Sequence, residues 1–186
     1  MRIIAGSWRG RALAAVGKGD KSAHLRPTTD RVRESLFSML AGGRFGDPID
    51  GARVLDLFAG TGALGLEALS RGADTALFVD DGRVAQRLIR ENIGKCGAGE
   101  QAKLLPRDAT KLPTNPDAPY SLIFLDPPYG KALGEKALAA ALAGGWIADE
   151  ALIVWEDSAP ITPPAGVTLI DERRYGDTMI RILEAT

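Results

Sequence analysis

From residue 53 onward the chain alternates strand-like and helix-like segments, and this alternation constrains its fold more than any other feature. Apolar runs at 53–58, 75–79, 103–105, 121–125 and 151–155 read as buried strands. Segments 62–71, 82–95 and 131–143 read as the helices between them. Strand, helix and strand with short linkers close by right-handed crossovers, so the pattern predicts a doubly wound α/β sheet of parallel strands. The end of the chain departs from it. Residues 167–173 and 178–184 are two strand-like runs joined by Arg174-Tyr175-Gly176-Asp177, a hairpin signal. At 186 residues, one compact domain with at most a small appendage is expected.

The first forty residues read differently. Residues 2–16 alternate loosely around Ile3, Ile4, Trp8 and Leu13, which predicts a short strand or hairpin, and 17–27 is turn-rich. After Pro27, Thr28 is placed to cap a helix, with Asp30 in its first turn. Val32, Leu36, Met39 and Leu40 share one helical face, Arg31, Arg33 and Glu34 the other, and Gly42-Gly43 ends the helix. The expected division is an arm and helix over 1–41 and an α/β body over 42–186. Charge follows this division. The net charge is −1, from 23 Lys and Arg against 24 Asp and Glu, which argues against a nucleic-acid partner. Its placement argues the other way: residues 1–33 carry +6 and the remainder −7. A basic arm is a footprint of polyanion binding or a solvated tail, and charge alone leaves both open.

Composition removes several classes. Hydrophobic residues at 45% exclude global disorder. A single cysteine, Cys96, excludes an intrachain disulfide and points to a reducing, cytoplasmic setting. No apolar run approaches the roughly 18 residues of a membrane span, and the MRIIAGSWRGR start is too weakly apolar for a secretory signal. One histidine, His24, and one cysteine leave a zinc-type metal site without a ligand set. His24 reads as solvated, and Trp8, Trp146 and Trp155 as packing residues.

The chemistry concentrates in two loops. Asp56-Leu57-Phe58-Ala59-Gly60-Thr61-Gly62 follows the first core strand and opens a helix, and Gly60, Gly62 and Gly65 spell G-x-G-x-x-G with an acid, Asp80, twenty residues after Gly60. Taken alone this fits a dinucleotide site, with Asp80 on ribose hydroxyls, or a structural turn into a tightly packed helix. Asp56 moves the reading, because a carboxylate inside an apolar strand needs a partner that a ligand ammonium would supply. Asp108, after the third strand, is placed either to accept from an adenine amine or to cap a turn. An amino-acid head at Asp56, a ribose at Asp80 and an adenine at Asp108 describe S-adenosylmethionine. The second loop is Asp126-Pro127-Pro128-Tyr129, directly after strand 121–125. Two prolines make it rigid and leave its carbonyls free to accept. Asp126 and those carbonyls can hold both hydrogens of a planar exocyclic amine, and Tyr129 can stack on an extruded base. The alternative for this loop is a rigid, Asp-capped turn.

DLFAGTGALGLEALSRGA together with DPPYG resembles the class I, Rossmann-like methyltransferases that alkylate exocyclic amines. RIIAGSWRGR and RPTTDRVRESLF narrow the resemblance to the RsmD family of bacterial 16S ribosomal RNA guanine-N2 methyltransferases, and it covers essentially the whole chain, closing RRYGDT hairpin included. It implies a mostly parallel seven-stranded sheet ending in an antiparallel hairpin, S-adenosylmethionine as donor, and a guanine of small-subunit 16S rRNA as acceptor, met as a monomer within an assembling subunit. It also implies donor-binding roles for Asp56, Phe58, Ala59, Gly60, Thr61, Gly62, Asp80 and Asp108, and a catalytic role for Asp126 to Tyr129. Arg9, Arg11, Arg26, Arg31 and Arg33 lie in the segments expected to meet rRNA. Asp80 departs from the longer Glu often found there, and Gly82 from an Asp, without removing the acid. DPPY is shared with DNA adenine methyltransferases, so the N-terminal signature carries the acceptor assignment. Two rivals remain: an NAD-type oxidoreductase, which gives DPPY no role, and a non-catalytic rRNA-binding assembly factor.

Overall fold

The computed structural model describes residues 1–15, 28–128 and 131–186. Five strands run parallel: β1 (Arg53–Leu57), β2 (Thr75–Val79), β3 (Ala102–Leu105), β4 (Tyr120–Leu125) and β5 (Ile147–Asp157). β6 (Val167–Tyr175) and β7 (Thr178–Ala185) form the antiparallel hairpin, and the seven-stranded order is β3-β2-β1-β4-β5-β7-β6. The expected sheet and its closing hairpin are both present. The hairpin turn is shorter than expected: Gly176-Asp177 alone connects the strands, with Gly176 supplying a φ of +62°.

Helices α1 (Asp30–Leu40), α2 (Ala63–Ser70), α3 (Arg83–Cys96) and α4 (Leu133–Ala143) cover both faces. Strands buried on two sides read as continuous apolar runs, which is why β1 and β4 are so legible in sequence. Side-chain alternation sorts them into two layers. Val54, Phe78, Phe124, Val154 and Ile182 pack with Leu36 and Phe37 of α1, Leu66 of α2 and Ile89 of α3. Leu55, Ile123, Ile153 and Trp155 pack on the opposite face with Ala137, Leu138 and Ala141 of α4. Gly134 allows that second contact, since a Cβ there would lie 2.3 Å from the Trp155 ring.

Two expectations at the N-terminus need correction. The described residues 2–15 form no continuous strand; the hairpin alternative is the nearer, with a single antiparallel bridge joining Arg2 to Ala12 and a loop held by Ile3 N–H to Arg11 O (2.9 Å) and Gly10 N–H to Ile3 O (2.9 Å). The cap of α1 is Thr29, whose Oγ1 accepts from Val32 N–H, and not Thr28, whose hydroxyl donates instead to Glu156 across the fold. The division at residue 41 does not separate two cores. Ile3 and Leu13 are buried in the same layer as Val54 and Leu66. The arm is tied to α2 by Glu67, whose oxygens accept from Ile4 and Ala5 N–H at 2.8 and 3.0 Å, and by Ser70, whose hydroxyl accepts from Trp8 N–H. Gly6 sits so close that a Cβ would fall 1.7 Å from Ser70 O.

The sheet reverses its winding between β1 and β4. From β1 the chain proceeds outward to β2 and β3, and from β4 it proceeds the other way to β5. Such a switch point opens a crevice beyond the C-terminal ends of the two strands, where ligands of open α/β sheets bind. Among the described residues no helix is long and apolar enough to cross a membrane.

Candidate active site

The crevice receives both chemistry-bearing loops. β1 and β4 pair in register, Asp56 beside Phe124 and Leu57 beside Leu125, so the glycine loop and the Asp-Pro-Pro loop leave the sheet side by side. Strand β1 ends at Leu57, one residue earlier than the apolar run suggests. Phe58 adopts a left-handed φ of +58°, bending the chain toward β2, where Ala59 N–H donates to Val79 O at 3.1 Å. Gly60 and Gly62 continue the turn at φ +60° and +76°, values that favour glycine, and Gly62 caps α2 in the left-handed region. Gly65 has a different job: a Cβ would lie 2.5 Å from the Phe78 ring, so it permits helix and strand to approach.

Asp80 organises this loop. Its Oδ2 accepts from Gly60 N–H and its Oδ1 from Gly82 N–H, both at 2.9 Å, which ties the ends of β1 and β2 together while the side chain stays half-exposed at the crevice. Burial raises its pKa and these two amides oppose the rise. Asp56 is fully buried and accepts from Gly65 N–H at 3.0 Å. Burial pushes its carboxyl up to about 8, with the Gly65 amide pulling down and the neighbouring Asp80 pushing further up. Thr61 is buried, and its carbonyl accepts from Asn92 Nδ2 at 2.9 Å. The same Asn92 donates to Ala14 O and accepts from Ala14 N–H, so one buried amide joins the donor loop to the N-terminal arm. Asp108 caps the short 3-10 turn Ala109–Lys111, accepting from the N–H and hydroxyl of Thr110, which hold its pKa down. Its other oxygen, Oδ2, pairs with Lys111 Nζ at 3.7 Å.

On the β4 side, Asp126 is half-buried, Pro127 buried and Pro128 exposed. The Asp126 carboxyl is raised well above the carboxylate range by burial, then by Glu156, Asp56 and Asp157, with the Thr28 hydroxyl opposing. Glu156 and Asp157 close β5 beside it, both nearly buried. Burial also raises Glu156, again opposed by Thr28. Tyr129 and Arg26 lie outside the described residues.

Arg9, Arg11 and Arg31 are exposed, whereas Arg33, expected on the solvent face of α1, is completely buried. Its Nη2 donates to Arg2 O at 2.6 Å and Asp30 Oδ1 at 2.7 Å, so it braces the arm against α1. Helical spacing alone missed this, because the arm covers a face that periodicity assigns to water. Arg2, Arg9 and Arg31 instead line a groove of about 290 Å³ between arm and helix, with Asp30 and Glu34 on its wall. Glu67, Asn92 and Glu156 were not singled out in sequence, and Thr28 only as a helix cap. The signal for Glu67 was present, as the lone acid in the apolar run ALGLEALS.

Residues 1–184 match the family described as Conserved hypothetical protein 95. The chain is 40% identical over 188 residues to "Ribosomal RNA small subunit methyltransferase D" of Escherichia coli strain K12, covering 99% of this chain and 89% of that one. The chain belongs to the RsmD family. The Bacillus subtilis protein "Putative rRNA methyltransferase YlbH" is 34% identical over 188 residues, covering 98% and 97% of the two chains. A solved structure of "Putative methyltransferase yhhF" from Escherichia coli superposes with a TM-score of 0.81 at 36% identity, over 100% of this chain and 97% of that one. The Rossmann-like methyltransferase fold expected of this family member is the fold observed.

Proposed function

We propose that this protein transfers a methyl group from S-adenosylmethionine to the exocyclic N2 of a guanine in the 16S rRNA of the small ribosomal subunit. The observation that carries the reading is the β1–β4 register, which brings the glycine loop and the Asp-Pro-Pro loop into one crevice. The names of its relatives, both rRNA methyltransferases, agree with it.

The crevice fits the donor chemically. Asp56 and Asp80 place acceptor oxygens where a ligand carrying an ammonium and ribose hydroxyls would lie, and each carboxyl is raised toward neutrality without such a partner. In this reading Asp56 meets the ammonium, Asp80 accepts from ribose hydroxyls and Asp108 lies nearest the adenine. S-adenosylmethionine, when bound, supplies an electrophilic methyl on sulfur. The chain's own contribution is positioning. The proline carbonyls and Asp126 accept the hydrogens of the guanine amine, drawing its lone pair out of ring conjugation and toward the methyl. The nitrogen forms its new bond to carbon as the donor's sulfur–carbon bond breaks, and it sheds one proton. Arriving N–H donors favour ionised Asp126, whose high proton affinity then suits it to take that proton.

Tritiated-methyl transfer onto rRNA, followed by mapping of the modified nucleotide, tests the proposal. Asp126→Ala is expected to lower transfer by at least about 1,000-fold, the scale of lost positioning and acceptor stabilisation, with donor affinity nearly intact. Retained transfer in that variant would sink the assignment of Asp126.

A further inference from the structure

The Asp-Pro-Pro loop holds an exocyclic amine but does not choose between bases, because adenine N6 and guanine N2 offer it the same two hydrogens. The neighbouring strand carries a group that does choose. β4 and β5 pair as Phe124 with Val154 and Leu125 with Trp155, so Asp126 and Glu156 follow at the same height on adjacent strands. Phe124 and Val154 belong to one core layer, which puts Asp126 and Glu156 on the same face of the sheet by alternation. Adjacent strands lie about 4.8 Å apart, so side chains at the same height on both can reach one base edge.

Glu156 is only 9% exposed. Its observed side-chain partner among the described residues is the Thr28 hydroxyl, donating to Oε2 at 2.8 Å. Among the described residues this neutral donor uses only part of the acceptor capacity of a carboxyl. Asp157 is not equivalent: alternation turns it to the other face, and its Oδ1 accepts from Ala159 N–H at 2.9 Å.

We propose that Glu156 determines the choice of guanine by accepting the N1–H of the base whose N2 amine is held at Asp126. Guanine presents N1–H and N2–H as adjacent donors, and two carboxyl groups side by side match them. Adenine presents a lone pair at N1 and offers Glu156 no hydrogen to accept. Thr28 is a positioning residue, fixing the Glu156 carboxyl from the segment that leads into α1. This inference rests on the guanine-N2 reading above and explains how that specificity is built.

The test replaces the target guanine of an rRNA substrate, naked or in a reconstituted subunit particle, by 2,6-diaminopurine. That base keeps the N2 amine and lacks the N1–H. The wild-type protein is expected to prefer guanine by about 100-fold or more in kcat/KM, as sites built around a hydrogen bond reject analogues lacking it. Glu156→Gln, whose amide can donate to N1, is expected to shrink that preference below about 10-fold with unchanged S-adenosylmethionine affinity. Glu156→Asp is expected to lose rate and keep the preference. Comparable wild-type rates on the two bases, or an unchanged ratio in Glu156→Gln, would overturn the proposal while leaving the methylation reading intact. A wild-type protein that methylates no guanine N2 would overturn both.

Discussion

Asp56 holds its proton in the folded chain over a pH range in which the unfolded chain has released it. Its carboxyl moves from the ordinary 3.8 to about 8, chiefly through burial. Between those values the folded state binds the extra proton, so this contribution to stability is complete below about pH 4 and is lost as pH rises toward 8. Asparagine keeps the shape and can still accept from Gly65 N–H, yet has no proton to lose. The thermal midpoint of the wild-type protein is therefore expected to fall between pH 5 and pH 8 by several degrees more than that of Asp56→Asn, at about 2–4 °C for each kcal/mol in a chain of this size. Parallel curves for the two proteins would show that Asp56 is ionised throughout. The same group makes donor binding pH-linked. An ammonium brought against Asp56 favours its ionised form, so binding near neutral pH is expected to release about one proton, or a fraction of one, in the wild type and less in Asp56→Asn. Calorimetry in buffers of different ionisation enthalpy reads this directly.

At the scale of elements, the parallel strands were legible because they are buried on both faces, and their apolar runs need no context to be seen. The glycine loop was legible for a related reason: Gly60 and Gly62 occupy backbone conformations that few other residues adopt, so the requirement appears as residue identity. The arm was not legible. Its bonds to the body run over separations of about sixty to eighty residues, through Glu67, Ser70 and Asn92, and no local period records them. Arg33 misled for that reason, since the arm makes an interior of a surface the helix would otherwise show to water. Thr28 was misassigned to a cap that its neighbour Thr29 provides, and its bond to Glu156 depends on where α1 lands over the sheet. If Glu67 is what seats the arm, Glu67→Ala strands the Ile4 and Ala5 amides and frees Arg71 from its partner. The expected cost is roughly 2–5 kcal/mol in urea unfolding, with faster proteolysis within residues 1–15. An exposed glutamate substitution would cost under about 0.5 kcal/mol.

At the scale of the whole molecule, charge placement separates residues that bind from residues that build. Residues 1–33, the arm and the start of α1, carry +6 and the remainder −7, so the proposed phosphate contacts fall to the basic part while the target base enters the acidic crevice. Within that basic part the groove singles out Arg9 and Arg31, exposed and facing the same space, whereas Arg33 is committed to Arg2 and Asp30. The two kinds of arginine are expected to fail differently. Each phosphate contact contributes about 0.7–0.9 to the slope of log affinity against log salt, so Arg9→Ala with Arg31→Ala should flatten that slope by about 1.4–1.8 while unfolding is unchanged. Arg33→Ala removes a buried charge that braces two segments and leaves Asp30 without its partner, so the protein should unfold at lower urea. Its salt slope, measured where the variant is still folded, should match the wild type. Equal slopes in all three proteins would place the RNA elsewhere on the surface, and a flattened slope in Arg33→Ala alone would mean that the arm opens when RNA binds.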